Sequence, residues 1–295
     1  MYYNDKTVLF YDGKMTRATE AHADLYMQTL HYGYGVFEGI RSYQTANGPR
    51  MFKPREHYER LIRSCELMNI PFDYSVDQMI DLTYEVLDLN GFTESYIRPL
   101  VMCSPNMSLT SGQRSSFVIA AWEWPAYLGE KLLKLHISSM CRPHPRSIKI
   151  DAKACGHYVN SILAATEARN KGYDEALLLD CEGFLGEAPG ANLFFEKDGK
   201  LFTPGKGHIL AGITRTTVME LCEELAIECE EGQFLPADLL NADSAFYCGT
   251  GAEIVGIESV NGKQFSKTWS ESLGKQLQTA YKLLVREESL ESVTA

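Results

Sequence analysis

The chain carries the stretch Asp151-Ala-Lys-Ala-Cys-Gly-His-Tyr158 close to its midpoint. Its lysine, Lys153, stands between small residues that leave the side chain room to enter a pocket. A lysine that is desolvated near other positive charges has a lowered pKa and becomes a nucleophile for carbonyl groups. Lys153 is also the last residue of a segment, 131–153, that contains six basic residues and one acid. Such a segment indicates either a nearby anion or the solvent-exposed face of a strand.

Three stretches downstream of Lys153 have the composition of ligand-binding loops. Residues 183–192 are rich in turn formers around Glu187, which is either a surface side chain or an acid held against a cationic ring. Residues 207–215 place glycines before a predicted helix, where backbone N–H groups and the helix dipole favour a phosphate. Residues 248–253 form a small-residue loop that can bring N–H groups close to an anion.

The first 124 residues have the pattern of a domain that mixes strands and helices. The first forty are predicted to form short strands, with a hairpin signal at Asp12-Gly13. Residues 55–69 place apolar side chains at helical spacing, and a second helix over 75–91 begins with a capping box and stops at Gly91. Further strands are predicted for 95–103 and 116–124. This order of elements predicts an α+β domain.

Proline and glycine interrupt the pattern after Trp124, so we place the interdomain linker at residues 125–131. The predicted domains are a smaller N-terminal α+β domain, 1–124, and a larger, strand-rich C-terminal domain, 132–295. The second domain is predicted to contain, in order, a strand at 132–139, a helix at 157–171, strands at 175–180 and 192–196, and a helix at 213–225.

The composition excludes several classes of function. The 295 residues carry 39 acidic and 28 basic side chains, and the net charge of −11 argues against nucleic acid as a partner. The eight cysteines include no Cys-x-x-Cys pair and no histidine cluster accompanies them, so no metal site is predicted. There is no signal-peptide pattern and no apolar run of the ~18 residues that a membrane span needs. We therefore predict a cytoplasmic protein with reduced thiols and no membrane partner.

Six motifs occur in the same order as in a known enzyme family. They are His31-Tyr-Gly-Tyr-Gly-Val-Phe-Glu-Gly-Ile-Arg41, Arg55-Glu-His-Tyr-Glu-Arg-Leu61, Tyr96-Ile-Arg-Pro-Leu100, Ala152-Lys-Ala-Cys-Gly-His-Tyr158, Gly212-Ile-Thr-Arg215 and Gly249-Thr-Gly-Ala-Glu253. With them the chain resembles the branched-chain amino-acid aminotransferases, which are pyridoxal-phosphate enzymes of fold type IV, over nearly its whole length. The resemblance implies a two-domain α+β fold with the cofactor, pyridoxal 5'-phosphate, in the cleft between the domains.

The resemblance also implies which residues bind the cofactor. Lys153 is the expected catalytic residue, which forms the Schiff base and shuttles a proton between the substrate Cα and the cofactor C4′. Glu187 is expected to pair with the protonated pyridine nitrogen, and Tyr158 to hydrogen-bond the phenolic oxygen. Phosphate binding is expected from Arg60, from the N–H groups of Ile213 and Thr214, and from Thr250.

Substrate binding is implied by the same resemblance. An apolar pocket is expected from Tyr32, Phe37, Tyr96 and Tyr127, with Arg41 and Arg98 on its polar wall. Arg98 is the cation expected to receive the distal carboxylate of glutamate. The α-carboxylate is expected at Tyr96 and at the N–H groups of Gly251 and Ala252. By themselves, aromatic residues at alternate strand positions belong to a core more often than to a pocket, and Arg98, which precedes Pro99, is also compatible with a structural ion pair.

The implied function is reversible transamination of leucine, isoleucine and valine with 2-oxoglutarate, which gives branched-chain 2-oxo acids and L-glutamate. The alternatives are a D-amino-acid aminotransferase or an aminodeoxychorismate lyase on the same fold. The implied partners are small-molecule amino acids and 2-oxo acids, together with further copies of the chain in a homodimer or larger homo-oligomer. A homologue that binds the cofactor without catalysis is disfavoured, because the lysine, the acid and the phosphate arginine are all present.

Overall fold

The computed structural model describes residues 2–124, 128 and 131–294. The chain forms two compact units: unit 1 is Met1–Pro125 with Ala152–His157, and unit 2 is Ala126–Asp151 with Tyr158–Ala295. Most of the predicted linker, including Tyr127, lies outside the described residues.

The segment Ala152–His157, which carries Lys153, groups with unit 1, whereas the sequence places it in the C-terminal domain. Backbone contacts explain the difference. Val36 and Ala154 form an isolated antiparallel bridge, and the N–H of Phe37 donates to the carbonyl of Lys153 at 3.1 Å. Because the residues that make these contacts are far apart in the chain, no local sequence pattern predicts them.

Unit 1 contains, within the described residues, one antiparallel sheet of seven strands and three α-helices. The order along the sheet is β2-β1-β7-β6-β4-β5, with β3 paired to β6. The elements are β1 (Val8–Tyr11), β2 (Lys14–Arg17), α1 (Gln28–Tyr32), β3 (Gly35–Phe37), β4 (Ile40–Thr45), β5 (Gly48–Met51), α2 (Pro54–Leu67), α3 (Val76–Asn90), β6 (Ser95–Cys103), β7 (Ser115–Trp122) and a 3-10 turn, Cys155–His157.

Helix α3 follows the signals that its sequence carries. Ser75 Oγ accepts from the Gln78 N–H at 3.2 Å, and Gln78 Oε1 accepts from the Ser75 N–H at 2.9 Å, so the predicted capping box is confirmed. The helix ends at Gly91, whose φ of 67° is a left-handed conformation that glycine adopts without strain. Its buried face, with Met79, Val86 and Leu87, joins the core of unit 1.

One prediction for the N-terminal region is wrong. The first forty residues are predicted to form short strands, but Gln28–Tyr32 is helical and ends at Gly33, which has a φ of 65°. Five residues are too few to show a helical repeat of apolar side chains, so this helix had no periodic signal in the sequence.

Unit 2 contains one mixed sheet in the order β12-β11-β10-β13-β14-β8-β9, with β15 paired to β14. Three of its pairings, β8 with β9, β14 with β8 and β11 with β12, are parallel. The elements are β8 (Leu133–Cys141), α4 (Tyr158–Asn170), β9 (Glu175–Leu179), β10 (Asn192–Lys197), β11 (Lys200–Pro204), α5 (Ile213–Glu224), β12 (Cys229–Gly232), α6 (Pro236–Leu240), β13 (Ser244–Gly249), β14 (Glu253–Val260), β15 (Lys263–Gln264), a 3-10 turn (Trp269–Glu271), α7 (Leu273–Leu284) and α8 (Glu291–Thr294).

Helix α5 is anchored to the sheet of unit 2 by Arg215, which is 1% exposed. Its Nη2 donates to the carbonyl of Pro204 at 2.9 Å and lies 3.1 Å from Glu231 Oε2. Its Nε lies 3.3 Å from Thr203 Oγ1. A buried guanidinium needs such partners, and they set the position of the first turn of α5.

Candidate active site

Lys153 is held in unit 1 through its backbone on two sides. Its N–H donates to Ser64 Oγ of α2 at 3.1 Å, and its carbonyl accepts the N–H of Phe37 in β3 at 3.1 Å. The side chain extends along the Phe37 ring, with Nζ 5.1 Å from the ring centroid. The amine is therefore presented by a rigid segment rather than by a surface loop.

A buried carboxylate, Glu38, lies directly after Phe37 and is 0% exposed. Its Oε1 lies 2.6 Å from Arg60 Nε, and its Oε2 accepts from Arg60 Nη2 at 2.9 Å. Nδ1 of His57, one turn before Arg60 on α2, lies 2.8 Å from Glu38 Oε2. Glu38 thus orients the guanidinium of Arg60, the residue expected to bind phosphate.

Opposing effects set the charges in this cluster. Burial alone would raise the pKa of Glu38, but Arg60 and His57 outweigh burial and hold the pKa well below its ordinary value of 4.5. Burial lowers the pKa of His57, and the positive charges of Arg60 and Lys153 act in the same direction against the influence of Glu38. Glu38 is therefore ionised and His57 neutral at neutral pH.

Arg98 lies among aromatic rings on the sheet of unit 1. Its guanidinium carbon is 4.6 Å from the ring centroid of Phe37, 5.4 Å from that of Tyr96 and 5.8 Å from that of Trp122. Its buried Nε has no hydrogen-bond partner among the described residues. A cavity of ≈ 390 Å³ opens beside Arg98 and Trp122. The structural ion pair considered for Arg98 does not occur among the described residues.

The other predicted substrate residues of unit 1 occupy different environments. Tyr96 is buried, its hydroxyl lies 3.3 Å from Arg98 Nη2, and a Cβ on Gly39 would lie 2.0 Å from that hydroxyl. Arg41 is buried opposite Tyr96 in the β4–β6 register. Tyr32 is exposed, and its hydroxyl donates to the carbonyl of Met107 at 3.3 Å.

In unit 2 the predicted acid Glu187 is buried rather than exposed on a loop. Its Oε1 lies 2.9 Å from Arg142 Nε, and its Oε2 accepts from Asn192 Nδ2 at 3.0 Å. The N–H of Leu210 lies 3.2 Å from Oε1. The surface-loop interpretation of Glu187 is therefore wrong, because the buried carboxylate is balanced by the charge of Arg142 and accepts hydrogen bonds from Asn192 and Leu210.

Asn192 connects Glu187 to the loop that precedes α5. Its Nδ2 also donates to the carbonyl of Leu210 at 3.1 Å, and a Cβ on Gly212 would lie 2.0 Å from Asn192 Oδ1. Among the described residues no side chain caps α5, so the first N–H groups of this helix are left for an anion. These include the predicted phosphate donors Ile213 and Thr214.

The remaining predicted residues of unit 2 lie at the β13–β14 turn and at the start of α4. Thr250, Gly251 and Ala252 form the turn that connects β13 to β14. Gly249 and Glu253, on either side of this turn, are paired across the two strands. A Cβ on Gly249 would lie 3.1 Å from the carbonyl of Gly190, in the loop that follows Glu187, so the turn and the acid loop are in close contact. Tyr158 is the first residue of α4.

Unit 1 thus brings together Lys153, Phe37, Arg60, Tyr96 and Arg98, and unit 2 brings together Glu187 with the loop before α5. Four residues in these clusters were not assigned a role from the sequence: Glu38, His57, Arg142 and Asn192. A glutamate inside an apolar and glycine-rich motif was the available signal for Glu38. For Arg142 the signal was the basic segment, whose alternative interpretation as a wet strand face does not hold for this residue, since it is buried.

Comparisons with known proteins identify the family. The profile of the family described as amino-transferase class IV matches residues 35–260. The chain belongs to the class IV aminotransferases. A branched-chain-amino-acid aminotransferase of Pseudomonas aeruginosa is 38% identical over 280 residues, which cover 93% of this chain and 91% of that protein.

Solved structures agree with this assignment. The branched-chain amino acid aminotransferase of Escherichia coli matches with a TM-score of 0.93 and 37% identity over 96% of both chains. The T.th. enzyme of the same name, complexed with N-(5'-phosphopyridoxyl)-L-glutamate, matches with a TM-score of 0.90 and 32% identity over 96% of this chain and 95% of its own. These matches confirm the predicted family, the fold class and the prediction of a branched-chain aminotransferase.

Two further observations concern this class IV aminotransferase as far as the structure describes it. No group of three or more His, Cys, Asp or Glu side chains is arranged to hold a metal ion. None of the described helices has the length and apolar character that a membrane span requires.

Proposed function

We propose that the chain catalyses reversible transfer of the α-amino group of leucine, isoleucine and valine to 2-oxoglutarate, giving branched-chain 2-oxo acids and L-glutamate. The observation that carries the proposal is the clamped position of Lys153. Both of its backbone groups are hydrogen-bonded, to Ser64 and to Phe37. Its Nζ is within reach of the Phe37 ring at 5.1 Å. A lysine held in this way can serve both as a nucleophile toward a carbonyl and as a base.

The described residues fit pyridoxal 5'-phosphate, which we propose as the cofactor. Such a group needs an amine for its aldehyde, an acid for its ring nitrogen and amide donors for its phosphate. Lys153 offers the amine, buried Glu187 offers the acid, and the uncapped first turn of α5 offers the amides. The related T.th. enzyme was solved with a phosphopyridoxyl group joined to L-glutamate, which supports both the cofactor and the amino acceptor.

When bound, pyridoxal 5'-phosphate supplies an electron sink for the electron pair that is left on the substrate Cα. Lys153 would hold the cofactor covalently, and its Nζ would move a proton between the substrate Cα and the cofactor C4′. Glu187 would hold a proton at the ring nitrogen, and Tyr158 would donate a hydrogen bond to the phenolic oxygen. The phosphate is assigned to Arg60, to the N–H groups of Ile213 and Thr214, and to Thr250.

Substrate contacts follow from the same residues. The α-carboxylate is assigned to the Tyr96 hydroxyl and to the N–H groups of Gly251 and Ala252, and the apolar side chain to Phe37, Tyr32 and Tyr127. Arg98 is assigned to the distal carboxylate of glutamate, with Arg41 beside Tyr96 on the polar wall. Support for Arg98 comes from its buried Nε, which has no hydrogen-bond partner among the described residues and can therefore gain one from a bound carboxylate.

An absorbance titration of the purified protein, reconstituted with the cofactor, tests the proposal. We expect the visible band of the lysine-bound cofactor to disappear with L-leucine and to return with 2-oxoglutarate, while D-leucine has no effect. Lys153→Ala should abolish both the band and turnover. The matched control is Lys149→Ala, which removes an exposed lysine from the same basic segment and should leave both unchanged.

Each alternative outcome has a clear meaning. A band that responds only to D-leucine would assign the chain to the D-amino-acid enzymes of the same fold. Turnover with an intact band in Lys153→Ala would show that another group carries the chemistry. A band that ignores a broad panel of amino acids would leave the chain as a cofactor-binding homologue without transaminase activity.

We also propose that the chain assembles into a homodimer or larger homo-oligomer. Helix α4 packs Ala164 and Ala168 against β9, and on another face it exposes Val159, Ile162 and Leu163 at 60%, 63% and 49%. Apolar residues at this spacing form one stripe, which a second copy of the chain can cover. Light scattering should show an oligomer that Ile162→Glu weakens and the exposed control Arg169→Glu does not; a fully active monomer would contradict the proposal.

A further inference from the structure

Two exposed thiols face each other at one end of the sheet of unit 2. Cys141 is the last residue of β8, and Cys181 lies two residues beyond β9, the parallel neighbour in which Leu179 is aligned with Cys141. Their Sγ atoms are 3.5 Å apart, and both residues are exposed. The fold therefore brings together two solvent-accessible thiols from different strands.

The other six cysteines differ in access. Cys65, Cys103, Cys222 and Cys248 are buried, and Cys155 and Cys229 are intermediate. Cys222 and Cys229 also share a side-chain hydrogen bond, but Cys222 is only 2% exposed. Since all eight cysteines lie in the described part of the chain, Cys141 with Cys181 is the one close pair in which both thiols meet solvent.

Little movement separates this pair from a covalent bond. Sulfur atoms in a disulfide are about 2.05 Å apart, so the two Sγ atoms must approach by about 1.5 Å. Cys181 Sγ also lies 3.1 Å from the carbonyl oxygen of Arg142, to which its thiol can donate. Cys141 is a strand end and Cys181 lies outside regular structure, so side-chain rotation and a small shift of the loop can close the gap.

We propose that Cys141 and Cys181 are a redox-active pair. They form a reversible intramolecular disulfide by thiol–disulfide exchange with a low-molecular-weight oxidant such as glutathione disulfide. The Cys141 thiolate attacks one sulfur of glutathione disulfide, which forms a mixed disulfide and releases one glutathione thiolate. The Cys181 thiolate then attacks the Cys141 sulfur and releases the second glutathione. The two protein thiols lose two protons and two electrons, and glutathione disulfide is reduced to two thiols.

The order of attack follows from the surroundings of Cys181. Partial desolvation, the hydrogen bond with Cys141, and the negative charges of Asp180 and Glu182 all raise the pKa of Cys181. Because the thiolate is the nucleophile, a raised pKa makes Cys181 the slower first attacker. Cys141 is therefore the attacking thiol, and Cys181 resolves the mixed disulfide.

The pair adjoins the arginine that partners Glu187. Arg142 follows Cys141 in the chain, its N–H donates to the carbonyl of Leu179 at 2.7 Å, and its Nε lies 2.9 Å from Glu187 Oε1. Disulfide formation removes the thiol that can donate to the Arg142 carbonyl. The proposal does not depend on the transaminase assignment, because it requires only the two thiols and an external disulfide.

Mass spectrometry of the cofactor-loaded full chain tests the pair directly. The protein is equilibrated in buffers with an increasing ratio of glutathione disulfide to glutathione, blocked with maleimide and weighed intact. We expect a species that carries two fewer maleimide adducts than the reduced chain and whose protein mass, without adducts, is lower by two hydrogen atoms. Peptide mapping should join Cys141 to Cys181, and dithiothreitol should reverse the change.

Single-cysteine variants distinguish this pair from the others, and circular dichroism verifies that each is folded. Cys181→Ser should stop at a mixed disulfide on Cys141, and Cys141→Ser should lose the reaction. The control Cys229→Ser should form the disulfide as the natural chain does. A stable mixed disulfide on the natural chain, a bond between Cys222 and Cys229 in place of the proposed one, or no oxidation of the folded protein would each overturn the proposal.

Discussion

Glu38 and Arg60 form a two-point ion pair whose carboxylate is completely buried. Oε1 of Glu38 lies 2.6 Å from Arg60 Nε, and its Oε2 accepts from Arg60 Nη2 at 2.9 Å. The pair joins the residue after Phe37 to the helix that also holds Lys153 through Ser64. The phosphate arginine proposed above is therefore a preorganised group, and its orientation depends on a residue that need not touch the cofactor.

Removing the charge of Glu38 should destabilise the protein strongly. Glu38→Gln leaves Arg60 without its anionic partner in a largely buried site, and we expect the free energy of unfolding to fall by about 3 kcal/mol. Urea denaturation followed by circular dichroism measures this change. Glu59→Gln alters an exposed side chain on the same helix and should stay within about 0.5 kcal/mol of the natural chain. Equal stability of the two variants would contradict the importance of the buried pair.

The same carboxylate should make stability depend on pH in acid. Its pKa in the folded protein is held below the ordinary value of 4.5, so its contribution is complete above that pH and is lost as the pH falls further. Below about pH 4.5 the free energy of unfolding should fall by up to about 1.4 kcal/mol per pH unit more for the natural chain than for Glu38→Gln. Denaturation curves at successive pH values measure the difference; parallel curves for the two proteins would contradict it.

The capping box of α3 should contribute measurable stability by itself. Ser75→Ala removes the acceptor for the Gln78 N–H, and we expect a loss of about 1 kcal/mol. Thr93→Ala, at an exposed position after the helix, serves as a control with little effect. Since the hydrogen bonds of the Ser75 side chain and backbone N–H go to Gln78 and not to a proposed catalytic group, the specific activity of folded Ser75→Ala should be that of the natural chain.

Arg98 should discriminate between the two substrates. If Arg98 binds the distal carboxylate of 2-oxoglutarate, Arg98→Met removes a charge-assisted interaction that leucine does not use, and KM for 2-oxoglutarate should rise by about 10- to 100-fold. KM for leucine should change far less. Arg63→Met, which replaces an exposed arginine on α2, is the control. A parallel rise in both KM values would indicate a general packing role for Arg98.

Gly39 should be required for the position of Tyr96. A Cβ at residue 39 would lie 2.0 Å from the Tyr96 hydroxyl, so Gly39→Ala must displace that side chain. Overpacking of this kind should raise KM for leucine by about tenfold if Tyr96 binds the α-carboxylate. Gly205→Ala places its Cβ 3.7 Å from the nearest atom and is the matched control. Unchanged kinetics in Gly39→Ala would remove Tyr96 from the proposed substrate contacts.

Much of the secondary structure was predictable because its signals are local. The β6 strand was predicted for 95–103 and spans Ser95–Cys103, and the α3 cap and stop occur at the predicted residues. The short helix α1 was not predicted, because about one helical turn is too short to show a periodic pattern of apolar residues. Residues 152–157 group with unit 1 through partners such as Val36, which are remote in the chain and leave no local signal.

The sequence by itself determined the family, the residue types of the proposed chemistry and the main helices and strands, since these depend on ordered motifs and on spacing within short segments. Only the tertiary structure decided which groups meet. It paired Glu38 with Arg60, Arg142 with Glu187, and the thiols of Cys141 and Cys181. Such pairs form because buried charges must find partners and packed strands bring distant residues into contact, and neither requirement specifies a partner until the chain is folded.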